Sequence, residues 1–183
     1  MLSEASQRLA DDHSALDEVV TELRKALDTG DVAASHASLD LFWARLAVHI
    51  RAEHLHLFPA IMNGLSKVPD DQVVAPTRSE AQQAIELLRA DHDFFMHELA
   101  QAIGVLRDLV KTTDRHAVNV GMRAVREAVL EVEKRLVFHN ELEESQIYRW
   151  TKTILSEREQ AELATRISAE LANRPPRFSQ SPL

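Results

Sequence analysis

Apolar side chains recur along this chain at alternating three- and four-residue steps, the spacing that keeps them on one face of an α-helix. Leu2, Leu9, His13, Leu16, Val20, Leu23 and Leu27 form the first stripe, which stops at Thr29-Gly30, a C-terminal signal. A first helix is predicted over roughly 3–28. Asp31 suits the N-cap of a second, striped by Leu39, Phe42, Leu46, His49, Glu53, His56 and Ala60 and ending near Asn63-Gly64. Pro59 predicts a kink late in it. Residues 64–76 turn to Ser, Pro, Asp and Gln and form the longest connection. Thr77-Arg78-Ser79-Glu80 matches a capping box and opens a third helix, with Ile85, Leu88, His92, Phe95, Leu99, Ile103, Leu106 and Val110 on one face. Asp114 caps a fourth, striped by Val125, Val129, Val132, Leu136, His139, Glu143, Gln146 and Trp150. Ser156-Glu157-Arg158-Glu159 is a second capping box and starts a short fifth helix to about Leu171. The expected fold is all-α, an antiparallel up-down four-helix bundle over 1–155. A C-terminal helix is appended over 156–172, and a disordered tail follows over 173–183.

Composition narrows the chemistry. The chain has 183 residues, 45% of them hydrophobic, enough for one sizeable core, and only four glycines, which favours helices over sheet. Its formal charge of −8 offers no basic surface for nucleic acid or an anionic membrane. No cysteine is present, so disulfides, thiolate nucleophiles and thiolate-held zinc or iron–sulfur clusters are excluded. No apolar signal core opens the chain, and no run approaches the roughly 18 apolar residues of a membrane span. A cytoplasmic protein is expected. Gly-rich phosphate loops, Gly-x-Ser-x-Gly and His-Glu-x-x-His are missing from the sequence.

The chemistry sits in the stripes themselves. His13, His49, His92 and His139 each lie on the apolar face of a different helix, and His49 and His139 are followed four residues later by Glu53 and Glu143. Side chains four apart look the same way. One histidine in that position is more often a hydrogen-bonded core residue. Four with two glutamates in one core must all be satisfied together, since an ionised carboxylate buried without a partner costs several kcal/mol. His–Glu ion pairs, or helices rotated to face solvent, are the alternative. Two divalent cations balanced by two glutamates and an exogenous hydroxide or oxide satisfy all six more simply. The set is too large for one tetrahedral zinc and too rich in nitrogen for calcium or magnesium. Two irons sharing bridging carboxylates fit best, with manganese or zinc as substitutes.

The second and fourth helices also look like copies. His49 aligns with His139, Arg45 with Arg135, Glu53 with Glu143 and Phe58 with Tyr148; in the other pair of helices Asp12-His13 aligns with Asp91-His92.

With Asp11-Asp12-His13, His49-Ile50-Arg51-Ala52-Glu53 followed by Leu57-Phe58-Pro59, His92, and His139-Asn140-Glu141-Leu142-Glu143-Glu144, the chain resembles the hemerythrin-like, or HHE cation-binding, family over about 9–150. The resemblance implies a non-haem di-iron centre that binds, senses or reacts with oxygen, peroxide or nitric oxide. By that likeness His13 and His49 would hold one iron, His92 and His139 the other, and Glu53 and Glu143 would bridge. The oxygen-carrying members have a second histidine four residues after the third-helix ligand, where this chain has Met96. A thioether is a poor ligand for iron(III), so one coordination position is expected to be open, which favours reactivity over carriage. His56, three residues past Glu53, is a candidate to fill it or to act just behind the ligands. His36, His54, His97 and His116 are expected at the surface. Phe95, Trp43 and Trp150 are expected in or near the core, Phe95 also as a shield over the pocket. Diatomic molecules or peroxide are the expected partners; an iron buffer or donor and a metal-free interaction module are the other function classes.

Overall fold

The computed structural model describes residues 1–67 and 75–176, and all regular structure among them is helical, with no strand. The chain is all-α, as the stripes predict.

Local side-chain-to-backbone bonds set five of the helix starts among the described residues. α1 spans Glu4–Thr29; the Ser3 hydroxyl accepts from the Ser6 N–H at its start, and it ends on Gly30, whose φ of 72° is a left-handed conformation that favours glycine. α2, Val32–Ala52, begins with the Asp31 carboxylate accepting from the Ala34 N–H. The helix then continues through one π-helical turn, Glu53–Leu57, into α3, Phe58–Leu65. α4, Arg78–Leu109, opens with the expected capping box of Thr77 and Glu80. α5, Arg115–Leu142, is capped by Asp114 and runs through a second π turn, Glu143–Ile147, into α6, Tyr148–Ile154. α7, Glu157–Ala172, has the capping box of Ser156 and Glu159. Most of the expected connection over 64–76, namely 68–74, and the tail from 177 lie outside the described residues. In the described part of the expected tail, 173–176, the Asn173 carbonyl accepts from Arg51 of α2.

α1 packs on α2, α4 on α5, α2 on α4, and α7 on α1 and α2. Two apolar clusters result. One contains Leu23, Leu39, Phe42, Phe95, Leu99, Leu106 and Val132; the other contains Leu9, Leu57, Phe58, Leu88, Ile147 and Tyr148, closed by Leu163, Ala164 and Ile167 of α7. Each fully buried Leu, Ile or Phe contributes about 1.5–3 kcal/mol. Along the four long helices the switch between clusters falls at the histidines: Leu9 and Leu16 flank His13, and Leu88 and Phe95 flank His92, on opposite sides. The polar residues therefore sit between two apolar blocks that hold them from both ends. No helix among the described residues is long and apolar enough to cross a membrane.

Candidate metal centre

Six polar side chains from four helices meet in that layer. His13 comes from α1, His49 from α2, His92 from α4 and His139 from α5, each at most 5% exposed; Glu53 and Glu143 are wholly buried. The Nε2 atoms of His13 and His49 lie 3.2 Å apart, and those of His92 and His139 lie 3.0 Å apart. Glu143 places Oε2 3.2 Å from His13 and Oε1 3.1 Å from His139. Glu53 places Oε2 3.3 Å from His92 and Oε1 3.7 Å from His49. Two groups with metal-ligand spacing follow, His13–His49–Glu143 and Glu53–His92–His139–Glu143. All six sequence-predicted residues are thus brought together, and Glu143 belongs to both groups.

Both glutamates occupy the first position of a π turn. The N–H of Phe58 bonds to the Glu53 carbonyl, and that of Tyr148 to the Glu143 carbonyl, five residues back in each case. A π turn inserts one residue into the α-helical ladder and is common at functional sites. Near Pro59, where the second helix is expected to kink, the irregularity is the first of these turns. Its cause is not Pro59 alone, because Arg149 stands at the equivalent place after the second turn.

The outer ring nitrogen of each histidine is also held. His49 Nδ1 lies 3.0 Å from Asp12 and His139 Nδ1 3.2 Å from Asp91. His13 Nδ1 lies 2.8 Å from Glu144, and His92 Nδ1 2.9 Å from His54 Nε2. Arg45 and Arg135 steady the two aspartates from behind. Carboxylates only accept, so Nδ1 of His13, His49 and His139 carries a proton and, in the neutral ring, Nε2 is a bare lone pair. Bare nitrogens 3.0–3.2 Å apart repel one another. Glu53 Oε2 and Glu143 Oε1 are buried with no hydrogen-bond partner, although imidazole nitrogens stand within about 3.3 Å. Converging lone pairs and unsatisfied carboxylate oxygens are the donor set of a cation site, and the residues fit such a group.

Without a cation, protons partly take its place. Burial works against charge on His13, but the hydrogen bond and charge of Glu143, backed by Glu144 and Glu53, outweigh it and raise the pKa to about 9. His139 is raised for the same reason despite its burial, whereas burial prevails at His92 and lowers it to about 4. Burial also pushes Glu53 upward, with the Glu143 charge adding to it; Glu143 itself is held low because His139 and His13 outweigh its desolvation.

Several participants were not expected from the sequence. The Tyr148 hydroxyl stands 2.9 Å from Glu53 Oε1, 3.2 Å from Glu143 Oε2 and 3.3 Å from His13 Nε2. Burial beside both glutamates keeps this phenol protonated, well above its ordinary pKa. Its alignment with Phe58 was the only signal. His54, expected at the surface, is half-buried and touches His92, because a π turn rotates less per residue than the α-helix used to place it. The same phase change removes His56 from the site. Its Nε2 lies 3.5 Å from Glu170 of α7 and it belongs to neither ligand-spaced group, and Gln146, expected on the buried face, is exposed. His97 and His116 are exposed as expected, but His36 is half-buried, with a buried Nε2 that has no hydrogen-bond partner. Phe95 is fully buried, edge-on to His139 at 5.2 Å. Trp43 and Trp150 are half-buried beside the two clusters, and Met96 is half-buried against the first. A cavity of about 20 Å³, room for one small molecule, touches all four histidines and is otherwise lined mainly by apolar residues such as Leu16, Phe42, Leu46 and Leu136.

The family model of the Hemerythrin HHE cation binding domain matches residues 4–151, and the chain belongs to that family. No curated protein and no solved structure gives a significant match.

Proposed function

We propose that this hemerythrin HHE protein is a non-haem di-iron protein that binds, senses or reacts with oxygen, peroxide or nitric oxide. In this reading α1, α2 with α3, α4, and α5 with α6 form an antiparallel up-down bundle. His13 and His49 would hold one iron and His92 and His139 the other, with Glu53 and Glu143 serving as shared carboxylate ligands. The iron pair would supply a redox-active Lewis acid able to take a small exogenous ligand. The protein's own residues do the rest. Asp12, Asp91, Glu144 and His54 aim each Nε2 inward by holding Nδ1, and two buried glutamates offset the cation charge. Tyr148 restrains the bridging carboxylates through its hydroxyl. Met96, one turn beyond His92, offers no nitrogen, so the second position lacks the further histidine of the oxygen-carrying pattern.

The observation that favours small-molecule chemistry over iron storage is the 20 Å³ cavity against the four histidines, lined mainly by apolar side chains and too small for an organic substrate. Aerobically purified protein should carry two irons per chain and show near-ultraviolet charge-transfer absorption in its oxidised form. One tightly held zinc with no uptake of iron under reducing conditions would sink the reading. Rapid surrender of iron to a weak chelator would turn it toward an iron buffer or donor.

A further inference from the structure

Two pseudo-equivalent positions behind the ligands carry opposite chemistry. Each bridging glutamate is followed by a residue that holds the Nδ1 of a histidine from another helix. After Glu143 it is Glu144, 2.8 Å from His13; after Glu53 it is His54, 2.9 Å from His92. The remaining pair is matched, since Asp12 behind His49 and Asp91 behind His139 are both carboxylates with an arginine at their backs. For His92 to present a bare Nε2, its Nδ1 must donate and His54 Nε2 must accept, so His54 is neutral there. The His13–His49 side thus has two carboxylates behind its imidazoles and the His92–His139 side has one. Tyr148 adds to the contrast, because its hydroxyl stands by His13 while its counterpart Phe58 only stacks on His92.

We propose that the two metal positions are inequivalent, with the His13–His49 position the tight one and the His92–His139 position the weak, exchangeable one, and that the Glu144/His54 pair sets the difference. A carboxylate on Nδ1–H draws the proton toward itself, increases donation from Nε2 and adds a negative charge near the cation; a neutral imidazole does less of each. Loss of such a partner lowers metal affinity about 10–100-fold. The inference rests on the two-metal reading above.

Anaerobic titration of the metal-free full chain with cobalt(II), followed by optical absorption and calorimetry, tests both. Repulsion between two cations separates the steps even in a symmetric pair, so the diagnostic is which variant moves which step. Glu144→Gln should weaken the tight step about 10–100-fold and leave the weak one within a factor of about three. His54→Glu should tighten the weak step and narrow the gap. Glu144 is part-exposed, so its variant remains informative if His54→Glu does not fold. Two cobalt ions bound with Glu144→Gln acting on the weak step, or on neither, would overturn the inequivalence and leave the two-metal reading standing. Failure of wild-type protein to bind two ions would overturn both.

Discussion

The two π turns, Glu53–Leu57 and Glu143–Ile147, share almost nothing in sequence beyond their first residue. The first, Glu-His-Leu-His-Leu, is followed by Phe58-Pro59 and lies under α7, where Arg51 and His56 meet Glu170. The second, Glu-Glu-Ser-Gln-Ile, is followed by Tyr148-Arg149 and leaves Glu144, Ser145 and Gln146 exposed. Both nevertheless present a wholly buried carboxylate to the same layer. What they share, a glutamate four residues after a buried histidine, points to the site as the reason for the turn. What differs between them, Glu144 against His54 and Tyr148 against Phe58, makes the two halves chemically unequal.

Removing the two glutamates in turn is the strongest way to break their symmetry. Glu143 belongs to both ligand groups and Glu53 to one. Glu143→Ala should therefore lose nearly all iron, whereas Glu53→Ala should retain up to about one ion per chain on the His13–His49 side. His56→Ala, in contact with Glu170 and away from the layer, should leave stoichiometry unchanged. Metal analysis of the three variants decides it; full iron in both glutamate variants would show that neither carboxylate is a ligand.

Next in size is a difference in proton holding. In the metal-free protein His13 is raised to about 9 and His92 lowered to about 4. A raised histidine contributes stability that is fully present below its unfolded value near 6.5 and is lost as pH rises through 9; for His13 this is at most about 3 kcal/mol. A lowered one works the other way, so the His92 contribution is present above 6.5 and lost as pH falls toward 4. Metal-free protein should thus lose several degrees of Tm between pH 6.5 and 9.5, with Glu53, also raised, acting in the same direction. Iron-loaded protein should lack this alkaline loss, because a cation replaces the proton. Parallel melting curves for the two forms across that range would contradict the geometry at His13.

How much of this could be read from the chain depends on how local each relation is. Asp31, Thr77, Asp114 and Ser156 are recognisable as caps because each bonds a backbone N–H two or three residues on, whereas the Ser3 cap shows only in the structure. The six polar residues were recognisable because each breaks an apolar stripe at helical phase. Spacing alone does not place His54, His56 and Gln146, because all three lie inside the π turns, where a constant α-helical rotation fails. Asp12 and Asp91 stood next to ligands in the sequence, yet each serves a histidine of a different helix, a tertiary relation that spacing does not encode. Tyr148 reaches the glutamates only because α6 starts directly after the second π turn.

Tyr148→Phe makes the second turn resemble the first and should have a moderate effect. It removes the hydroxyl that stands within hydrogen-bonding distance of both glutamates and leaves a buried carboxylate oxygen without that donor. Metal-free protein should lose about 1–3 kcal/mol, read as a fall in Tm of several degrees. Loaded protein should lose less, since a cation already satisfies those oxygens. A larger loss in the loaded form would mean that the phenol acts on the metal rather than on the two buried carboxylates.

The smallest expected effect separates proline from glutamate as the origin of the first turn. Pro59 has no N–H to donate and sits in the first turn of α3, where that loss is tolerated. Replacing it by alanine frees the unfolded chain slightly, which destabilises by about 0.4–1 kcal/mol. It also restores an N–H that could help the helix revert to regular α-helical bonding. Such a reversion would remove the inserted residue and rotate Glu53 away from His92, at the cost of an unpaired carboxylate elsewhere in the core. The second turn holds its π geometry with Arg149 in place of a proline, so this reversion is not expected. Pro59→Ala should keep the wild-type metal content and its charge-transfer spectrum with a Tm lowered by no more than a few degrees. Loss of one metal ion in this variant would show that the first turn, unlike the second, depends on its proline.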